Sequence, residues 1–99
     1  MTQQAKAIPM EVLENIAGAL RVLAHPHRLK IVELLMENGL SVGELASELG
    51  IPPSACSQHL NLMRAHGLLA SSRDGKAVYY RVDNPSAANV ISCIREHML

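Results

Sequence analysis

The stretch SVGELASELGIPPSACSQHLNLMRAHGLLASSRDGKAVYYRV, residues 41–82, decides the fold, because its period changes part-way. Before Gly67 it reads as two helices. Ser41 stands ahead of an inward stripe of Leu45, Ala46 and Leu49, with Glu44 three residues after the serine, the capping-box spacing. Gly50 stops that helix, and Ile51-Pro52-Pro53 follows as a short rigid turn. Ser54 is placed to help start the next helix, which runs to about His66 with Leu60, Met63 and either Cys56 or Ala65 on its apolar side. After Gly67, Leu68–Ser72 and Ala77–Val82 read as strands, the second rich in valine and tyrosine. Asp74-Gly75 between them is a hairpin signal, since both central residues of a type I′ turn take positive φ. Two helices across a tight turn, followed by a hairpin, make a winged helix-turn-helix.

Working outward, the residues before this core form two more helices. Val12, Leu13, Ile16, Leu20 and Leu23 recur at spacings of three and four, which predicts an amphipathic helix from about Pro9 to Leu23. Pro26 ends it and suits the first turn of another, whose segment Leu29–Met36 is apolar on most sides and closes at Asn38-Gly39. On the far side, Asn84 can cap and Pro85 can open a last helix carrying Val90, Ile91, Ile94 and Met98. The expected fold is mainly α with a β-hairpin, in the order α-α-α-α-β-β-α. It forms one domain over residues 1–99, with the first eight residues frayed.

Composition agrees with packed helices. Of the 99 residues, 48% are hydrophobic, yet there are two Tyr, no Trp and no Phe, so the core is expected to be aliphatic with methionine. So much apolar surface on so short a chain points to burial between subunits. The formal net charge is zero but uneven: −2 over residues 1–53, +3 over 54–82 and −1 beyond. A basic segment over the hairpin and the helix before it suits phosphate. Cys56 and Cys93 form no disulfide framework. No signal pattern or membrane-length apolar run is present, so a cytoplasmic protein without a membrane partner is expected.

In a helix-turn-helix the early residues of the second helix meet base edges in the major groove. Here these are Ser54, Ser57, Gln58, His59 and Asn61. Gln and Asn suit adenine, and Ser suits base edges or phosphate. Arg64 is placed for a phosphate further along, and Arg73 and Lys76 at the hairpin tip for backbone or minor groove. Each polar residue alone is equally at home as plain solvated surface; the combination points to double-stranded DNA. Nothing reads as an enzyme: there is no Gly-rich phosphate loop, no carboxylate pair in a pocket-forming context and no nucleophile–base order. A winged-helix module that binds a protein remains the alternative.

The linked segments Val22–Leu35 (with Leu23-Ala24-His25-Pro26-His27-Arg28), Ser41–Ala46, Cys56-Ser57-Gln58-His59-Leu60, Gly67-Leu68-Leu69, Arg73–Lys76 and Tyr79-Tyr80 resemble the ArsR/SmtB family of bacterial winged-helix repressors. The resemblance spans about Leu13 to Met98. It implies a homodimer through the first and last helices, which places Leu13, Ile16, Leu20, Val90, Ile91, Ile94 and Met98 at the interface. It also implies repression from an imperfectly palindromic operator, with release by an inducer.

The sensing sites that the resemblance implies lack most of their ligands here. A Cys-x-Cys site at the third helix is matched by Ser41-Val42-Gly43, without a thiol. A site on the last helix is matched by Asn84, Ser86, Arg95 and Met98, and Arg95 repels a cation. A thiol pair of second and last helices is represented by Cys93 alone, with Glu33 or Val32 at the other position. Cys56 reads as core; Cys93 reads as core or dimer packing, and is the redox candidate if either thiol is one. His25 and His27 read as capping or surface groups, His66 as a helix C-terminal charge, and His97 as a weak surface neighbour of Glu96. No two His share one helix face at ligand spacing, so no metal site and no cofactor are expected, and the inducer, metal or thiol-reactive, stays open. A family member without an inducer site stays open as well.

Overall fold

The computed structural model describes residues 5–99. The chain runs α1 (Met10–Leu23), α2 (Pro26–Leu35), β1 (Leu40–Ser41), α3 (Val42–Leu49), α4 (Pro53–Ala65), β2 (Leu69–Asp74), β3 (Ala77–Val82) and α5 (Pro85–His97). The expected fraying of residues 1–8 falls in part on residues 1–4, outside the described residues; residues 5–9 are exposed and carry no regular structure.

Local chemistry sets the boundaries. Pro26 opens α2, and the His25 Nδ1 accepts from the His27 amide at 3.1 Å. Ser41 and Glu44 form the expected reciprocal capping box at the start of α3. Gly50, at φ +68°, ends α3 in the left-handed conformation that a side chain disfavours. Asn84 Oδ1 accepts from the Ser86 amide at 2.9 Å, with Pro85 at the first turn of α5.

Three details differ from the sequence reading. Ser54 does not cap α4: the helix begins at Pro53 behind Pro52, with no side-chain cap, because the two prolines already set the entry angles. A third strand, β1, pairs antiparallel with β3 (Leu40 opposite Tyr80, Ser41 opposite Tyr79) and gives the sheet order β1-β3-β2. Two residues are too few to show alternation. Ser41 does both jobs, since an N-cap residue already has extended φ and ψ. The hairpin turn is also shifted by one residue. Asp74 pairs with Ala77, which leaves Gly75-Lys76 as the central pair. Only Gly75 has positive φ there, at +63°, so the turn follows the II′ preference for glycine first.

The core lies where α2, α3, α4 and the base of the hairpin meet. Ile31, Val32, Leu45, Cys56, Leu60, Met63 and Leu68 have no exposed surface. No polar or charged residue among those described is buried with them; the core is aliphatic with methionine, the Cys56 thiol and one aromatic, Tyr80 of β3.

Candidate nucleic-acid interface

Helices α3 and α4 are joined by Gly50-Ile51-Pro52, and the Ile51 amide donates back to the Ala46 carbonyl at 3.1 Å. The turn is therefore closed by the helix it leaves. Across it, α4 is anchored by Cys56, Leu60 and Met63, one stripe at spacings of four and three. The opposite face carries Ser54, Gln58 and Asn61, all exposed, at the same spacings. A buried apolar stripe thus fixes which polar groups point outward.

Two predicted contacts lie on the flanks of this face. Ser57 is half-buried. Arg64 is exposed, and its Nη1 donates to Ser71 Oγ on β2 at 3.4 Å, which links the end of α4 to the hairpin. Arg73 and Lys76 are exposed at the tip, beside exposed Asp74. Arg81 on β3 is exposed as well, the strand alternating to bury Tyr80; the sequence reading counted its charge without assigning it a role.

His59 lies elsewhere. It sits on the flank of α4 that faces the α1–α2 junction, half-buried, and its Nδ1 accepts from Arg28 Nε at 3.1 Å. The same guanidinium donates through Nη1 to the Val22 carbonyl at 3.1 Å. The His59 ring is 4.6 Å from that of His25 and 5.7 Å from that of His27, centroid to centroid. Burial, then the neighbouring His25, Arg28 and His27, hold the His59 imidazole below its ordinary pKa. Three histidines thus meet where sequence spacing along a single helix could show no group; the signal was the pairing of the His25-Pro26-His27 turn with a histidine on the next-but-one helix, visible only once the helices are packed.

The other face of the subunit is apolar. Leu13, Ile16 and Leu20 on α1 are 40%, 37% and 47% exposed, and Met98 is 71% exposed. Val90 and Ile94 are half-buried on α5. Ile91 departs from the interface expectation: at 6% exposure it belongs to the core of its own subunit.

Of the thiols, Cys93 is exposed and Cys56 is buried, and burial pushes the Cys56 thiol up, as suits a packed, inert group. Glu33 on α2 is ion-paired with Lys30 at 2.7 Å and with Arg95 of α5 at 3.5 Å. The hydrogen bond from Lys30 leads the effects that hold the Glu33 carboxyl below its ordinary value. A charge pair between α2 and α5 therefore stands where a thiol pair would need its first member. Among the described residues no helix is long and apolar enough to cross a membrane.

Residues 23–72 match the model of a family described as a helix-turn-helix domain. The chain is 40% identical over 83 residues to the transcriptional repressor PagR of Bacillus anthracis, covering 83% of each protein. Its fold superposes on the structure of HlyU from Vibrio cholerae with a TM-score of 0.84 at 30% identity, covering 92% of this chain and all (100%) of that one. It also superposes on the homodimeric winged helix-turn-helix DNA-binding domain of Mb0332 from Mycobacterium bovis, a possible ArsR-family transcriptional regulator, with a TM-score of 0.79 at 25% identity, covering 97% and 88% of the two chains.

Proposed function

This chain belongs to the ArsR/SmtB family of winged helix-turn-helix transcriptional regulators, and from that premise we propose that it is a homodimeric repressor of a palindromic operator, released by an inducer. Its relatives are transcriptional regulators, and PagR is named a repressor. The observation that carries the reading is the division of α4 into a fully buried stripe and an outward face of Ser54, Gln58 and Asn61. Short amides and hydroxyls on a helix of this kind suit base edges in a major groove, where Gln and Asn pair with adenine. Arg73 and Lys76 on the hairpin supply phosphate contacts beside the groove, and Arg64 extends the line along α4.

Dimerisation follows from the α1 face. Leu13, Ile16 and Leu20, with Val90, Ile94 and Met98 of α5, form the interface of this reading. A twofold pair puts its two reading helices about one DNA turn, roughly 34–36 Å, apart, so the operator has two related half-sites. The experiment is fluorescence anisotropy with duplex DNA from the protein's own upstream region at several salt concentrations. Specific binding that weakens steeply with salt supports the reading. Equal affinity for unrelated duplexes, or none, contradicts it and favours a module that binds protein.

A further inference from the structure

We infer that the imidazoles of His25, His27 and His59 form a site for one divalent transition-metal ion of the nitrogen-preferring class, Zn²⁺, Co²⁺, Ni²⁺ or Cu²⁺. Candidate ligand nitrogens of the three residues all lie within 4.8 Å of one another, and all three residues are part-buried. A tetrahedral ion holds imidazole nitrogens at about 2.0–2.1 Å, which spaces them roughly 3.4 Å apart. The group therefore has to close by about an ångström, within reach of small ring rotations. Among the described residues no carboxylate joins the cluster. An all-imidazole set suits these ions and not Mg²⁺ or Ca²⁺, which take oxygen ligands.

The hydrogen bonds give the site a particular chemistry. His25 Nδ1 accepts from the His27 amide and His59 Nδ1 accepts from Arg28 Nε. A neutral ring that accepts at Nδ1 carries its proton on Nε2. An ion bound at Nε2 needs a lone pair there, so the ring's one proton moves by way of solvent from Nε2 to Nδ1, with no net proton released, and the ring takes the Nδ1–H form. In that form the Nδ1 of His59 no longer accepts from Arg28, and that of His25 no longer accepts from the His27 amide. Filling the site thus exchanges the bond between α2 and α4 for coordinate bonds that tie the α1–α2 junction to α4. The positive charge of Arg28 opposes the ion, and loss of its bond to His59 frees the guanidinium to turn away while Val22 still accepts from it. The site stands whether or not α4 reads DNA.

The test uses the full chain with Cys93→Ser, so that no surface thiol contributes, stripped of metal and titrated with Co²⁺ alone. The visible absorption of tetrahedral Co²⁺ should saturate at one ion per chain and be displaced by Zn²⁺. His27→Ala should lower the affinity at least about tenfold, since even outer-shell partners are worth about 10–100-fold. His27→Gln, which keeps bulk and polarity, should do the same if the alanine variant folds poorly by circular dichroism. His66→Ala and His97→Ala should leave the titration unchanged. Nitrogen-15 spectra of the imidazoles should show His25 and His59 as Nε2–H tautomers without metal and as Nδ1–H with Zn²⁺. An affinity unchanged by either His27 substitution, loss of binding through His97→Ala, or no Co²⁺ absorption at all overturns the proposal.

Discussion

Helices α1 and α4 are close in length, at 14 and 13 residues, and each turns one face to the outside. They do so with opposite chemistry. On α1 the outward groups are Val12, Leu13, Ile16 and Leu20. On α4 they are Ser54, Gln58, Asn61 and Arg64, while the apolar stripe is wholly inside. Burying a leucine or isoleucine side chain fully is worth about 1.5–3 kcal/mol relative to leaving it exposed. The α1 face therefore leaves part of that stabilisation ungained within one subunit, whereas the Cys56, Leu60 and Met63 stripe of α4 leaves none. The contrast teaches that an incomplete apolar face and a complete polar face do different work: the first calls for a second copy, the second for a polar groove.

Substituting one face at a time can break this contrast. Leu20→Glu puts a charge into the α1 face and is expected to raise the dimer dissociation constant at least about 100-fold, about 3 kcal/mol, by sedimentation equilibrium. A variant that remains as dimeric as wild type removes α1 from the interface. Gln58→Ala on the opposite face should cost about 1–3 kcal/mol in operator affinity, read by anisotropy, with the subunit mass unchanged. His59→Ala, on the flank that faces the α1–α2 junction, should lower the melting temperature, since His59 is bonded to Arg28, and should weaken operator binding less than Gln58→Ala does.

Smaller changes sharpen the contrast. Ser41→Ala removes the cap of α3, the helix against which α4 is mounted, and should cost about 0.5–2 kcal/mol by thermal unfolding at fixed protein concentration. Arg73→Ala should weaken binding to all duplexes alike and reduce the slope of log affinity against log salt by about 2, one phosphate contact for each hairpin of the dimer. An unchanged slope takes the hairpin tip off the phosphates. Glu33→Gln lies on neither face and serves as a control, with an expected loss of a few tenths of a kcal/mol at most, about the worth of an exposed ion pair. The Glu33 carboxyl is held below its ordinary value of 4.5, so its contribution is present above that pH and disappears as the pH falls through the folded value. Acid unfolding curves of the two proteins should converge there.

Most of the architecture was legible because local chemistry marks it. Pro26, the Ser41/Glu44 box, Gly50 and Asn84-Pro85 each announce a boundary and each is found at one. What escaped depended on other parts of the chain. Strand β1 exists only because Tyr79 and Tyr80 lie alongside it. The turn shifted from Asp74-Gly75 to Gly75-Lys76 because strand register, rather than the dipeptide alone, fixes which residues sit at its centre. On α5, Ile91 and Ile94 share one helical stripe in the sequence, but packing takes the first into the core and leaves the second half-exposed. His59 read as a neighbour of Gln58 on the same face. A step of about 100° per residue carries it round to the α1–α2 junction, where Arg28 and two more histidines meet it.

The central proposition is that two copies of this chain, joined through α1, hold two α4 helices against one duplex. Light-scattering mass of the protein alone, and then of its complex with a duplex from its own upstream region, tests it most directly. The account predicts two chains in the free particle and two chains on each duplex. A single chain in the free particle at micromolar concentration, together with a single chain per duplex, contradicts it.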